Sequence, residues 1–359
     1  MKDAVRNRRL ANQRIEGPSC RTPADVVAWS GAVQAQEYEP AKWGVGLRMR
    51  DGAVDADVQG AFDEGRMLRT HVLRPTWHFV APADIRWMLE LTAPRVRLRM
   101  ATYWRQMELD TRKMTRGTRV IERALGEGGF LTREELGNEL RRAKLPLVTF
   151  RLAHVAMYAE LEGVICSGPR RGKKSTYALL SGRAPKTRGL DRDEALGELS
   201  RRYLQSHGPA TIRDFVWWSG LTTPDATRGF EIARASREEH DGLAYWTVGT
   251  ARPTTRQQLA HLLPIYDEYL GSYRDRAAIP AGALKITSAY GRPVNFQHAV
   301  IIDGRVTGTW RITRTAKAIA MRATMLRKLT PREQRALAQA AERFWRFQRT
   351  AGAIEILGD

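Results

Sequence analysis

Thr22-Pro-Ala-Asp-Val-Val-Ala-Trp-Ser-Gly31 and Thr211-Ile-Arg-Asp-Phe-Val-Trp-Trp-Ser-Gly220 align without a gap and share Thr, Asp, Val, Trp, Ser and Gly. A fainter copy, Thr132-Arg-Glu-Glu-Leu136, lies between them. In each copy a Thr stands three residues before an acid, the spacing of a capping box, in which side chain and backbone satisfy each other's first-turn groups. Two copies close on a Gly, where a short helix has to turn. A capped short helix, a turn and a second helix make a helix-turn-helix. Three of them in one basic chain point to DNA.

Charge supports that direction. Lys and Arg total 59 against 39 acids, giving a net charge of +20 and a pI of about 10.5. A polyanion is the natural partner for such a chain. The cations are mostly Arg, the residue suited to bidentate phosphate contacts, although a GC-rich coding sequence also produces Arg and Ala. No run of about 18 uncharged apolar residues occurs, so no membrane span is expected. Residues 1–14 are basic and polar and read as no secretory signal. Cys20 and Cys166 have no metal-ligand spacing and suggest two small buried thiols in a reducing cytosol. The expected location is therefore the cytoplasm, on the nucleoid.

The chain divides into four units, 1–110, 111–190, 191–258 and 259–359. The first reads as helices over 23–31, 40–48 and 55–64, then strands 67–72 and 76–80. Three helices followed by a β-hairpin is the winged-helix pattern. A helix over 83–91 and a basic connecting helix over 95–109 follow. The second unit carries helices 119–125, 132–140 and 149–162 and wing strands 164–167 and 175–180. The wing tip, Gly168-Pro-Arg-Arg-Gly-Lys-Lys174, offers Arg170, Arg171, Lys173 and Lys174 to phosphates, and a solvated turn is the alternative. The third unit has helices 193–206, from 211, and 223–235, with a wing in 236–248. In the fourth, strands 299–302 and 305–311 flank Asp303-Gly304, a strong hairpin signal. A strand over 319–326 and an amphipathic helix over 332–350 follow. The expected fold is α+β: three tandem winged-helix units and a β-rich, partial-barrel C-terminal domain.

The first repeat departs from the third after its glycine. Gly220 leads through Leu221-Thr-Thr-Pro into a helix. Gly31 leads into Ala32-Val-Gln34-Ala-Gln36-Glu37-Tyr-Glu39-Pro40. Pro40 disfavours helix at Glu39, which fits an irregular or extended segment. In an extended segment, residues two apart point the same way, so Gln34 and Gln36 converge. Two convergent amides hold a water or read a base edge. The spacing alone does not choose between these.

Gln34-Ala35-Gln36 resembles the catalytic Gln-x-Gln of the AlkZ/YcaQ family of winged-helix DNA glycosylases. Leu73-Arg-Pro-Thr-Trp-His78, Leu263-Pro-Ile-Tyr-Asp-Glu-Tyr269 with Asp275-Arg276, and Gly304 through Gly308-Thr-Trp-Arg311 are similar as well. The likeness runs from about residue 20 to the C-terminus. It implies a C-shaped arrangement around a basic channel and excision of alkylated purines from double-stranded DNA, with interstrand crosslinks as substrates for some members. N7- or N3-alkylated purines are cationic and leave readily, so the enzyme has to position water and stabilise positive charge. An amide is too weak for a general base, but it orients water and sets a dipole against a cation.

Gln34 and Gln36 are therefore the candidate catalytic pair. Glu37 and Glu39 are neighbouring carboxylates, either charge stabilisers or a solvated helix start. Thr76 and His78 share one face of the wing strand and Trp77 takes the other; all three are candidates for DNA contact, with Trp77 as a core residue the alternative. His78 is a candidate for contact with phosphate or the lesion, or a satisfied strand residue. Tyr266, Asp267 and Arg311 are possible support for the site, with Asp267–Arg276 a candidate structural ion pair. The seven histidines show no ligand-like clustering and no P-loop is visible, so no metal or cofactor is expected. No lysine stands out as a Schiff-base nucleophile, which together with the resemblance implies a monofunctional enzyme. One chain with three DNA-binding units has no need to dimerise, so a monomer is expected. Two other readings remain open: a sequence-specific winged-helix regulator, and a DNA-binding paralogue without catalysis.

Overall fold

The computed structural model describes residues 2–50, 52–249, 259–274, 297–314 and 319–357. Its first part contains α1 (Lys2–Asn12), α2 (Pro23–Ser30), β1 (Ala32–Gln34), α3 (Tyr38–Gly46), α4 (Asp55–Asp63), β2 (Leu68–His71), β3 (Trp77–Val80) and α5 (Ile85–Gln106). Next come α6 (Thr111–Leu125), β4 (Leu131–Thr132), α7 (Arg133–Arg142), α8 (Thr149–Leu161), β5 (Ile165–Arg171) and β6 (Lys174–Leu179). The third part is α9 (Arg192–His207), α10 (Ile212–Ser219), α11 (Thr223–Ile232), β7 (Ser236–His240) and β8 (Leu243–Thr247). The last is β9 (Ala260–Leu263), α12 (Glu268–Gly271), β10 (Ala299–Ile302), β11 (Arg305–Arg314), β12 (Ile319–Met325), α13 (Pro331–Phe347) and β13 (Ala353–Leu357). The fold is mixed α+β.

All three copies of the repeat form their capping boxes. Thr22 Oγ1 accepts from the Asp25 backbone N–H at 3.1 Å, and Asp25 accepts from the Thr22 N–H at 2.9 Å. Thr211 with Asp214 and Thr132 with Glu135 repeat the exchange. Two first-turn donors are thus satisfied at each helix start. Gly31 and Gly220 end their helices at φ of 76° and 73°, a region that disfavours any Cβ.

Several elements differ from the expectation. The two helices expected over 83–91 and 95–109 are one helix, α5, with Pro94 inside it. Trp87, Met88, Leu91, Val96 and Trp104 are buried along it on both sides of the proline, so packing overrides the missing N–H. Helix α3 begins at Tyr38, so Pro40 is its third residue. There the amide has no intrahelical partner in any case. The basic N-terminal stretch is a helix whose Val5, Leu10 and Ala11 are buried, together with Arg6 and Arg9.

Among the described residues the C-terminal strands form no closed barrel. They make an open five-stranded sheet in the order β13-β12-β11-β10-β9. Strand β13, which the sequence reading missed, pairs in parallel with β12, and β9 pairs antiparallel with β10. Helix α13 packs over this sheet, with Phe344 against Trp310, while Phe347 reaches Trp43 of α3. One continuous core joins the first part, the third part and the C-terminal sheet. The second part has a core of its own, built on Val120, Ile121, Leu136, Leu140, Val155 and Ile165.

Candidate active site

Strand β1 makes the site possible. It lies antiparallel to β3, with Ala32 opposite Val80, Val33 opposite Phe79 and Gln34 opposite His78. Pairing continues one residue further, where the Ala35 N–H donates to the Trp77 carbonyl at 2.7 Å. The chain is thus extended through Gln34, as the sequence suggested. Both glutamines are half-buried.

Their amides are oriented by obligate donors. Gln34 Oε1 accepts from Arg74 Nη2 at 3.0 Å. Gln36 Oε1 accepts from the Trp77 backbone N–H at 3.3 Å. A guanidinium and a backbone N–H only donate, so each amide oxygen must face its partner. Each oxygen keeps a second lone pair, and each NH2 points away. The backbone is fixed as well. Arg69 Nε donates to the Ala35 carbonyl at 2.9 Å and Arg69 Nη2 to the Gln36 carbonyl at 3.4 Å.

Beneath Gln34 lies Glu268, a residue absent from the sequence-based candidates. It is 2% exposed. Its Oε1 accepts from the Gln34 backbone N–H at 2.6 Å, and its Oε2 accepts from Trp218 Nε1 at 3.1 Å and from the Ser272 hydroxyl. Burial alone would push its pKa up. His207, Arg74 and Ser272 outweigh this and hold the carboxyl well below the usual carboxylate range. Burial in turn lowers the pKa of His207. Glu268 is therefore an ionised, fully bonded carboxylate that grips the backbone of Gln34.

His78 is fully buried. Its Nδ1 lies 2.9 Å from the Thr76 carbonyl, and a carbonyl only accepts, so the proton is on Nδ1. Burial and the nearby Arg74 push its pKa down to about 3, so the ring is neutral at pH 7. Its Nε2 is a buried lone pair with no protein partner, and the Thr70 and Thr76 hydroxyls are likewise buried without one. Register puts Gln34, His78 and Thr70 in one row across the three strands, on the same face.

The remaining candidates are dispersed. Trp77 is half-buried on the opposite face of β3. Glu37 and Glu39 are exposed, and Glu39 pairs with Lys42 at 2.8 Å. Arg170 turns inward: it bonds Glu39 at 2.6 Å, lies 4.7 Å from the centre of the Tyr38 ring, and its N–H meets Asp63 at 2.9 Å. Arg171 pairs with Glu135 at 2.7 Å and Lys174 with Glu134 at 3.4 Å. Lys173 is exposed at the hairpin tip and Arg311 is exposed on β11. Asp267 makes a buried bidentate pair with Arg48, at 2.8 and 2.9 Å. The partner suggested for it, Arg276, lies with Asp275 outside the described residues. Tyr266 precedes it, half-buried at φ 62°. Among the described residues, no three His, Cys, Asp or Glu side chains are grouped to hold a metal ion, and no helix is long and apolar enough to cross a membrane.

The long-range partners Arg74 and Glu268 are what sequence reasoning missed. Both lie inside segments it had singled out, Leu73–His78 and Leu263–Tyr269. The last of these also packs on the Gly304–Arg311 segment: Tyr269 Oη donates to the Gly304 carbonyl at 2.8 Å, and Trp310 Nε1 to the Leu263 carbonyl at 2.8 Å.

Comparison with known proteins gives a consistent result. The model of the DNA glycosylase AlkZ-like family matches residues 27–347. An interstrand DNA cross-link repair glycosylase of Streptomyces sahachiroi is 26% identical over 324 residues, which cover 85% of this chain and 86% of that protein. The solved structure of the Streptomyces sahachiroi DNA glycosylase AlkZ superposes with a TM-score of 0.80 at 23% identity, over 99% of both chains.

Proposed function

The chain belongs to the AlkZ-like DNA glycosylase family, and on that premise we propose that it hydrolyses the N-glycosidic bond of cationic N7- or N3-alkylated purines in double-stranded DNA, interstrand crosslinks included. It is an enzyme, a DNA glycosylase. Gln34 and Gln36 are its catalytic residues in this reading. The observation that carries it is the locking of both amide oxygens by Arg74 and the Trp77 N–H, which leaves one lone pair on each for a water.

In the reaction, the bond between C1′ and the purine nitrogen breaks and its electron pair leaves with the base, neutralising the cation. Water adds to the oxocarbenium-like C1′. The adduct is strongly acidic and its proton passes to solvent, so no strong base is required. The glutamines hold the water in line and present carbonyl dipoles to the developing positive charge. The neutral His78 imidazole adds a lone pair on the Gln34 face rather than a competing cation. Both oxygens of Glu268 are occupied by protein donors, so it acts by fixing Gln34. A crosslinked base cannot be freely flipped, and a bond already weakened by the cation does not demand full flipping.

The three helix-and-hairpin segments, 1–110, 111–190 and 191–258, serve as winged-helix units, arranged with the C-terminal unit as a C around a basic channel. This rests on their element order, the net charge and the likeness of fold. The protein works as a monomer on the nucleoid. Exposed Lys173 and Arg311 supply phosphate contacts. Trp77 meets the pair through its backbone N–H, and Thr76, Glu37 and Tyr266 are proposed to support the site from nearby segments. Arg170, Arg171 and Lys174 set the wing against its neighbours. The test is release of N7-methylguanine from a duplex, alongside unhooking of a duplex crosslinked through guanine N7. Release or unhooking is expected. Tight, salt-sensitive DNA binding with neither product would mark a binding protein that has kept the scaffold.

A further inference from the structure

Glu160 is the last-turn acid of α8, in the second part of the chain, yet it is completely buried against the first. A carboxylate at a helix C-terminus faces the negative end of the helix dipole, and a buried charge is costly unless hydrogen-bonded. Its oxygens bond two rings across the boundary. Oε2 accepts from His71 Nδ1 on β2, and Oε1 accepts from Trp77 Nε1 on β3 at 3.3 Å.

Trp77 packs against two side chains of β2. The His71 ring lies beside it, centroids 4.2 Å apart, and the Arg69 guanidinium 4.4 Å from its ring centre. Trp77 donates its backbone N–H to Gln36 Oε1, and Arg69 donates to the Ala35 and Gln36 carbonyls. Burial lowers the pKa of Arg69 to about 10, with Glu160 opposing the shift. The donors to Gln36 thus belong to two residues, Trp77 through its backbone N–H and Arg69 through its guanidinium, and the side chains of both lie beside Glu160. No comparable chain reaches Gln34, whose anchors are Arg74 and Glu268.

We propose that Glu160 is a positioning residue for Gln36: the second unit supplies, through Trp77, the orientation of a catalytic amide in the first. This rests on the catalytic role of the glutamine pair. It makes the rate of base excision depend on the seating of α8, a helix that takes no part in the chemistry.

The test combines two readouts. In the full-length protein, the side-chain amide resonances of Gln34 and Gln36 are assigned by Gln34→Ala and Gln36→Ala. Glu160→Gln sets an amide N–H against one of the two ring donors. It is expected to shift the Gln36 amide pair and leave Gln34 unmoved. Single-turnover excision should slow about tenfold with DNA affinity unchanged, and the same substitution in the Gln36→Ala background should add no further loss. Trp77→Phe keeps the ring and removes its N–H, and should act alike. Glu162→Gln, which breaks a partly exposed pair with Arg97, should change nothing. Unmoved Gln36 resonances, or a rate loss that adds fully to Gln36→Ala, overturn the proposal. If the wild type releases no base, the glycosylase reading fails, and the amide shift alone decides the contact.

Discussion

The first and third copies of the repeat share a capping box, an eight-residue helix and a closing glycine, and then diverge. After Gly220 the chain turns through Leu221 into α11, with a second capping box at Thr222 and Asp225. After Gly31 it runs as β1 beside β3 and only then enters α3. The inserted strand places Gln34 at the edge of a sheet by backbone pairing, and Gln36, two residues on, is held there by its side-chain bond to the Trp77 N–H. The third copy presents no such edge. It turns its equivalent residues inward to hold the first in place. Trp29 bonds the Asn12 carbonyl at 2.7 Å with Arg14 over its ring, whereas Trp218 is buried and donates to Glu268. Asp25 is an exposed cap, whereas Asp214 is buried against Arg9 and the Arg274 N–H. The same ten-residue start thus leads into the proposed catalytic segment in one place and packs beneath it in the other.

The sharpest way to break this contrast is to remove the two equivalent acids. Asp214→Ala leaves Arg9 buried without its counter-charge and should cost about 3–5 kcal/mol. Asp25→Ala loses an exposed cap, about 1 kcal/mol or less. Chemical denaturation of both variants decides it; equal losses would contradict the assigned division of labour. The two tryptophans come next. Trp218→Phe removes a hydrogen bond to a buried carboxylate, worth roughly 1.5–3 kcal/mol, and should slow excision severalfold because Gln34 loses support. Trp29→Phe should leave the excision rate unchanged, and a rate assay of the pair distinguishes them.

A smaller effect concerns pH. The fold lowers the pKa of His78 from 6.5 to about 3, so the unfolded chain binds its proton first. Stability from this group is complete above about pH 6.5 and falls as pH drops through the window towards 3. His298, lowered by burial to about 4, acts in the same sense. His78→Gln should flatten the decline of melting temperature between pH 6.5 and 4, and an unchanged decline would remove His78 as its source.

What the sequence disclosed was local. Capping boxes close between residues three apart, the Asp303-Gly304 hairpin is a two-residue signal, and the extended backbone at Gln34 follows from the segment before Pro40. The anchors were hidden because they are distant: the Gln34–Glu268 bond spans 234 residues and the Arg48–Asp267 pair 219. Asp267 and Glu268 are adjacent acids with no local cue to tell their roles apart. Only tertiary packing shows that one pairs with Arg48 and the other grips Gln34. Pro94 misled for a related reason. Local propensity argues for a break, but buried apolar side chains on both sides of it keep α5 whole.

The account stands on the claim that the strand after Gly31 carries the chemistry. Its most direct test is single-turnover base release by wild type, Gln34→Ala, Gln36→Ala and the double variant, with DNA affinity and melting temperature measured on the same samples. The account predicts that the double variant loses about 100-fold or more in rate while binding and stability stay near wild type. Undiminished excision by the double variant would contradict it.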